Sequence, residues 1–195
     1  MSQRFVFRMI GLLAVPGVAQ AHLITTGLGP LYDGLGHFAL SLECLLPVMA
    51  LALLAGLNGV QAARWCLWCL PTAWLAGGLL GMLLPSSYNA ELGSPYVLMA
   101  LGTLVGFAVK LSAARMAGLA CMLGFALGYL DTSGLAATSL GLVGLLGVCM
   151  PVFVLTALIA AGVLALQHAW MRVAIRATGS WIAASGLLLL GWTLR

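Results

Sequence analysis

The stretch Asp33-Gly34-Leu35-Gly36-His37-Phe38-Ala39-Leu40-Ser41-Leu42-Glu43-Cys44 places an imidazole, a carboxylate and a thiol inside a segment otherwise apolar enough to span a bilayer. Ionisable groups at that depth are costly to desolvate, so they face a bundle interior or a water-filled path and mark the handling of an ion or a proton. At about 100° per residue, His37, Ser41 and Cys44 share one helix face, while Glu43 stands well round the cylinder. A single metal ion can then meet His37 and Cys44 directly, with Glu43 reaching toward a neighbouring helix. The alternative is structural: a buried His satisfied by a carbonyl, a Glu paired across helices and a Cys used as a small hydrophobe. From these residues alone both readings stand.

The elements that must position them are membrane helices. A chain of 195 residues with 63% hydrophobic and 6% charged residues lacks the polar surface of a soluble monomer, and its mean hydropathy of +1.14 agrees. Each crossing takes roughly 20 residues, so the length suits one all-α domain, a polytopic bundle of about six spans. The net charge of +4 is spread without a Lys/Arg cluster or interleaved aromatics, which argues against a nucleic-acid partner. Five cysteines, mostly within apolar runs, form no disulfide framework.

Residues 1–21 read as a cleaved signal peptide. Arg4 and Arg8 form the positive end, 5–18 the apolar part, and Ala19-Gln20-Ala21 the small-x-small cleavage site. Residues 22–195 are then the mature transmembrane domain, beginning at His22. An N-terminal His is a metal ligand through its amine and ring together, or simply the residue that follows the cut.

Six spans are expected after cleavage, at about 31–57, 66–84, 94–109, 114–130, 135–166 and 178–194. Pro47 and Pro71 lie inside the first two and are plausible kink positions. The fifth run is too long for one straight crossing, which predicts a tilted helix or one broken at Pro151. Charge placement tests the same map: Arg64, Lys110, Arg115, Arg172 and Arg176 all fall on one side, with Glu91 and Asp131 on the other. By the positive-inside rule the basic side is cytoplasmic, which gives a multi-pass protein of the bacterial inner membrane with both mature termini periplasmic. Asp33, Glu91 and Asp131 then sit at or near the outer face, where negative potential concentrates cations, although Glu91 alone reads as an ordinary loop carboxylate.

Other motifs are weaker. Glycines at helical spacing, as in Gly77-Gly78…Gly81 and Gly124…Gly128, read as close helix packing. Cys149-Met150-Pro151 is a soft ligand pair if it turns inward, and packing otherwise. Cys66-x-x-Cys69 has no second Cys pair at zinc spacing; the adjacent Trp65 and Trp68 read as an interfacial belt. His168, beside Trp170 and Arg172, reads as a solvated loop residue.

A signal ending Ala-His, followed by Gly34-x-x-His37-x5-Glu43-Cys44, resembles the HupE/UreJ family of hydrogenase- and urease-accessory membrane proteins, which are nickel or cobalt permeases. The family signature in this span is His-x5-Asp-His, so the carboxylate is kept in kind and a thiol stands for the second imidazole. The resemblance continues through Leu67-Trp68-Cys69-Leu70-Pro71-Thr72-Ala73-Trp74-Leu75-Ala76-Gly77. It returns at Phe125-Ala126-Leu127-Gly128-Tyr129-Leu130-Asp131, where the family tends to read Phe-His-Gly-x-Ala-His and this chain has Leu127 and Asp131.

The resemblance implies a permease rather than an enzyme, with no tightly bound cofactor. It implies a transported divalent ion, nickel or cobalt, and metalloenzyme maturation proteins as partners. Imidazole suits those ions, whereas the thiol of Cys44 admits softer copper. The expected metal residues are His37, Glu43, Cys44, Asp33, Asp131 and His22. The competing reading is a non-transporting membrane scaffold whose site has degenerated. No nucleotide-binding motif is present, and a divalent ion moving inward gains about 2.3 kcal/mol per charge per 100 mV.

Overall fold

Pro30 opens the first helix at a position where its missing N–H is no loss and its fixed φ suits the turn. From there the computed structural model describes residues 27–84, 94–135, 141–166 and 168–194. The expected leader 1–21, His22 and Glu91 lie outside them. The described residues form seven helices: α1 (Pro30–Leu40), α2 (Leu42–Leu57), α3 (Val60–Leu83), α4 (Ser94–Gly106), α5 (Ala113–Leu135), α6 (Gly141–Ala165) and α7 (Ala169–Thr193). The fold is all-α.

Four of these, α3, α5, α6 and α7, are long and apolar enough to cross a membrane, and α1 with α2 makes a fifth if the bent pair counts as one span. The 13 residues of α4 reach only about 20 Å, short of a hydrocarbon core of about 30 Å. The described helices thus supply four to five candidate spans toward the six expected.

The first span differs from expectation in its break. α2 runs unbroken through Pro47, and the chain leaves helical geometry at Ser41 (φ −85°, ψ 99°), turning by 72° between α1 and α2. Pro47 withdraws the bond that would reach the carbonyl of Glu43 and crowds that carbonyl, which places its effect a turn upstream of the ring. The Ser41 N–H still donates to the His37 carbonyl at 2.9 Å, and the Ser41 carbonyl accepts from Cys44 and Leu45. Pro71 and Pro151 likewise lie inside α3 and α6, each a single helix, so the fifth run is not broken at Pro151.

α2 is the axis of the bundle, in contact with every other helix. An element buried on nearly all sides must be apolar all round, and its Val48, Leu51 and Leu54 are essentially inaccessible. They pack with Leu70 and Trp74 of α3, Leu98 and Val105 of α4, and Val148 and Val152 of α6.

The tightest seam joins α3 and α5. Gly124 lies against Leu70, Gly128 against the Trp74 carbonyl, and Thr132 donates to the Gly78 carbonyl at 2.9 Å. The register rises together, so these two helices are parallel. A Cβ at Gly128 would collide with backbone, which is why small residues are required there. In the same way Gly34 and Gly147 let α1 lie directly on α6, against Gly144 and Leu31 respectively.

Three basic-side elements are knitted at one end of the bundle. Asn58, after α2, donates to the Val109 carbonyl at 3.1 Å and accepts from the Leu111 N–H at 2.8 Å. Lys110 Nζ donates to the Leu57 carbonyl at 2.8 Å, and Arg176 Nε to the Gly106 carbonyl at 2.8 Å. Each cation thus sits at a helix C-terminus, where unpaired carbonyls and the helix dipole favour it.

Candidate metal-ion site

His37 comes from α1, Cys44 from the first turn of α2, and Asp131 from α5 near its C-terminal end. The His37 Nε2 lies 2.7 Å from Asp131 Oδ1, and the Cys44 thiol donates to the same oxygen at 3.6 Å. The Asp131 side chain is 4% exposed and that of His37 21%. Asp131 Oδ2 is buried and has no hydrogen-bond partner among the described residues.

The break at Ser41 changes how these groups meet. A single helix through 37–44 would align His37 and Cys44 by periodicity, but here they stand on two helices joined at a 72° turn. They converge because Asp131 reaches between them. Asp131 is held in place by its neighbour Thr132, fully engaged with the Gly78 and Gly128 carbonyls at 2.9 and 2.7 Å. Phe38, next to His37, sets its ring edge against Trp74, with centroids 6.1 Å apart. The anchors Thr132 and Trp74 carry no sequence signal for this role beyond standing on the glycine-rich seam.

Other expected residues are placed differently. Glu43 is exposed on the bundle surface and forms no hydrogen bond among the described residues; the structure does not bring it to His37. Asp33 is half-buried one turn before His37, outside the His37–Asp131–Cys44 contacts. Cys149 is half-buried on α6, whereas Met150 is 57% exposed. The pair Cys149-Met150 therefore does not turn inward together, since adjacent helical residues point about 100° apart. Leu127 packs against the core, and His168 is exposed at the start of α7.

A divalent first-row ion can be tested against this geometry. Two ligands about 2.1 Å from one ion stand about 3.0 Å apart at a right angle and about 3.4 Å apart in a tetrahedron. The observed N···O separation of 2.7 Å needs only a small opening, and the 3.6 Å S···O separation needs none for a tetrahedral angle. The carboxylate and an ionised thiol would balance two positive charges. As they stand, no group of three or more His, Cys, Asp or Glu among the described residues is placed to hold a metal ion.

These features define a helical membrane protein with an ionisable cluster buried between its helices. The chain belongs to the HupE/UreJ family: the profile described as HupE / UreJ protein matches residues 10–189. The family comprises transporters, not enzymes, and is associated with nickel and cobalt transport. No curated protein and no solved structure matches the chain.

Proposed function

We propose that this protein is an integral-membrane permease for a divalent transition-metal ion, nickel or cobalt, taken up for metalloenzyme maturation. One observation supports it above the rest: a carboxylate nearly out of contact with solvent is paired to an imidazole at 2.7 Å, with its second oxygen unpartnered among the described residues. Burying such a charge costs several kcal/mol unless a partner compensates it. His37 offsets part of that cost, and an arriving cation would offset the rest.

In this reading an ion enters from the acidic side, partly dehydrated, and exchanges water for His37 Nε2 and Asp131 Oδ1. The imidazole presents a lone pair only when its Nε2 proton moves to Nδ1 or is released. Cys44 supplies a third donor on losing its thiol proton, and Asp33 stands on the approach. A site with two or three protein donors releases its ion more readily than a closed four-ligand cage. Arg64, Lys110, Arg115, Arg172 and Arg176 mark the cytoplasmic side, and six crossings require α4 and the α1–α2 pair each to count as one.

The absence of a three-ligand cluster among the described residues favours a second reading, a membrane scaffold with a degenerate site. Uptake of radiolabelled nickel and cobalt by cells expressing wild type or His37→Ala distinguishes the two. A permease loses uptake in the variant; a scaffold shows no uptake above empty cells in either.

A further inference from the structure

The break at Ser41 frees main-chain oxygens as well as turning the chain. The His37 carbonyl takes the Ser41 N–H, and the Ser41 carbonyl takes those of Cys44 and Leu45. Between them α1 ends at Leu40 and α2 begins at Leu42, so the helix supplies no N–H to the carbonyls of Phe38, Ala39 and Leu40. None of the three accepts a hydrogen bond among the described residues. Carbonyls at the C-terminal end of a helix point along its axis, here into the turn, and carry the negative end of its dipole. Phe38 differs from the other two in depth. It is 2% exposed, with its ring against Trp74, whereas Ala39 and Leu40 are exposed. A buried carbonyl in a membrane is costly unless a donor or a cation meets it.

The group already at that turn is Asp131. Its Oδ1 lies 2.7 Å from the ring of His37, the residue before Phe38, and 3.6 Å from the thiol of Cys44, three residues after Ser41. The carboxylate therefore sits against both sides of the break. Its side chain is 4% exposed, and its Oδ2 has no partner among the described residues. One turn of chain thus gathers a carboxylate oxygen and a main-chain oxygen, both buried and both without a donor. Two acceptors cannot satisfy each other, so the pair calls for something positive between them.

We infer that the Phe38 carbonyl is a main-chain ligand of the transported divalent ion, alongside His37 Nε2 and the Asp131 carboxylate. The inference rests on the permease reading above and supplies what that site lacks. No three His, Cys, Asp or Glu among the described residues are placed to hold a metal ion, and a carbonyl adds a donor that no ionisable side chain has to provide. A neutral oxygen replaces a water of hydration without adding charge. The ion on one carboxylate then keeps a net positive charge and still feels the membrane potential. Carbonyls are weak ligands for nickel beside imidazole, which favours release over retention. Unwound backbone at half-helix ends holds sodium in other transporters by the same physics.

The test is infrared difference spectroscopy of the full-length protein in detergent, with nickel minus without, after labelling with phenylalanine carrying carbon-13 in its carbonyl. Six positions carry the label. One labelled carbonyl band is expected to move to lower frequency with nickel, and the movement should vanish in Phe38→Leu, which keeps the carbonyl but not the label. No moving band in the wild type, or the same movement in Phe38→Leu, overturns the proposal. A second variant keeps every side chain: an ester in place of the Phe38–Ala39 amide weakens that one oxygen. It should lower nickel affinity at least about tenfold, the scale of one contact to a charged group. An ester between His37 and Phe38, whose oxygen Ser41 already occupies, should leave affinity unchanged, and equal effects of the two esters contradict the proposal. The Asp131 carboxylate band, identified by its loss in Asp131→Asn, is read in the same spectra. If it moves with nickel while no phenylalanine carbonyl does, the ion binds without Phe38 and the permease reading stands alone. If neither moves, nickel does not bind at this turn and both fail.

Discussion

His37 and Asp131 are 94 residues apart in sequence and share a 2.7 Å contact that ties α1 to α5. The pair is short enough for a charge-assisted hydrogen bond, and the carboxylate that makes it is almost wholly withdrawn from solvent. Replacing Asp131 by Asn keeps the shape and removes the charge. The expected outcome is a loss of about 10- to 100-fold or more in affinity for nickel or cobalt, measured as the concentration dependence of uptake. Unchanged affinity would separate the carboxylate from the ion path.

Cys44 sets the third donor, 3.6 Å from the same oxygen. Cys44→His should shift preference toward nickel and cobalt and away from copper(I), because imidazole suits the harder ions and a thiol the softer one. Competition between nickel and copper in an uptake assay reads the shift. Cys44→Ser should weaken retention of both metals, with no gain for nickel.

Glu43 provides an internal contrast, since it neighbours Cys44 in sequence yet faces outward. Glu43→Gln should leave metal affinity within about twofold of wild type, as surface substitutions away from special features cost little. A loss matching that of Asp131→Asn would mean that Glu43 serves the ion path despite its outward placement.

The seam that carries Asp131 is a packing device, and its weak points are specific. Gly128→Ala places a methyl against the Trp74 carbonyl, where no flexible side chain can yield. The expected cost is about 1–3 kcal/mol, read as a lower midpoint of thermal unfolding in detergent. Thr132→Val keeps the volume and removes the hydrogen bonds to Gly78 and Gly128, for about 1 kcal/mol. A midpoint unchanged in both variants would deny the seam its structural role.

Hydropathy makes the helical class legible, and the Lys/Arg pattern marks one end of the bundle before any fold is drawn. At that end the fold adds a role that charge counting does not reveal, with Lys110 and Arg176 closing the carbonyl ends of other helices. The break at Ser41 is not legible. The apolar run 31–57 reads as continuous, and the visible disruptor is Pro47, whose steric effect falls upstream of itself. Helical periodicity places Glu43 away from the His37 face, and it stays apart in the fold, but the same periodicity aligns His37 and Cys44 for a reason that the bend removes. What assembles the cluster is a contact between distant segments, and it depends on Gly77, Gly124 and Gly128 bringing α3 and α5 close enough for Thr132 to lock Asp131 in place. Sequence spacing cannot supply that.

The central claim is that His37 and Asp131 carry a transition-metal ion through the bundle. Its most direct measurement is uptake of radiolabelled nickel into liposomes holding the purified protein, with an inside-negative potential imposed, for wild type, His37→Ala and Asp131→Asn matched for incorporation. The account predicts potential-dependent accumulation by wild type and background levels for both variants. Accumulation by the variants equal to wild type would contradict it.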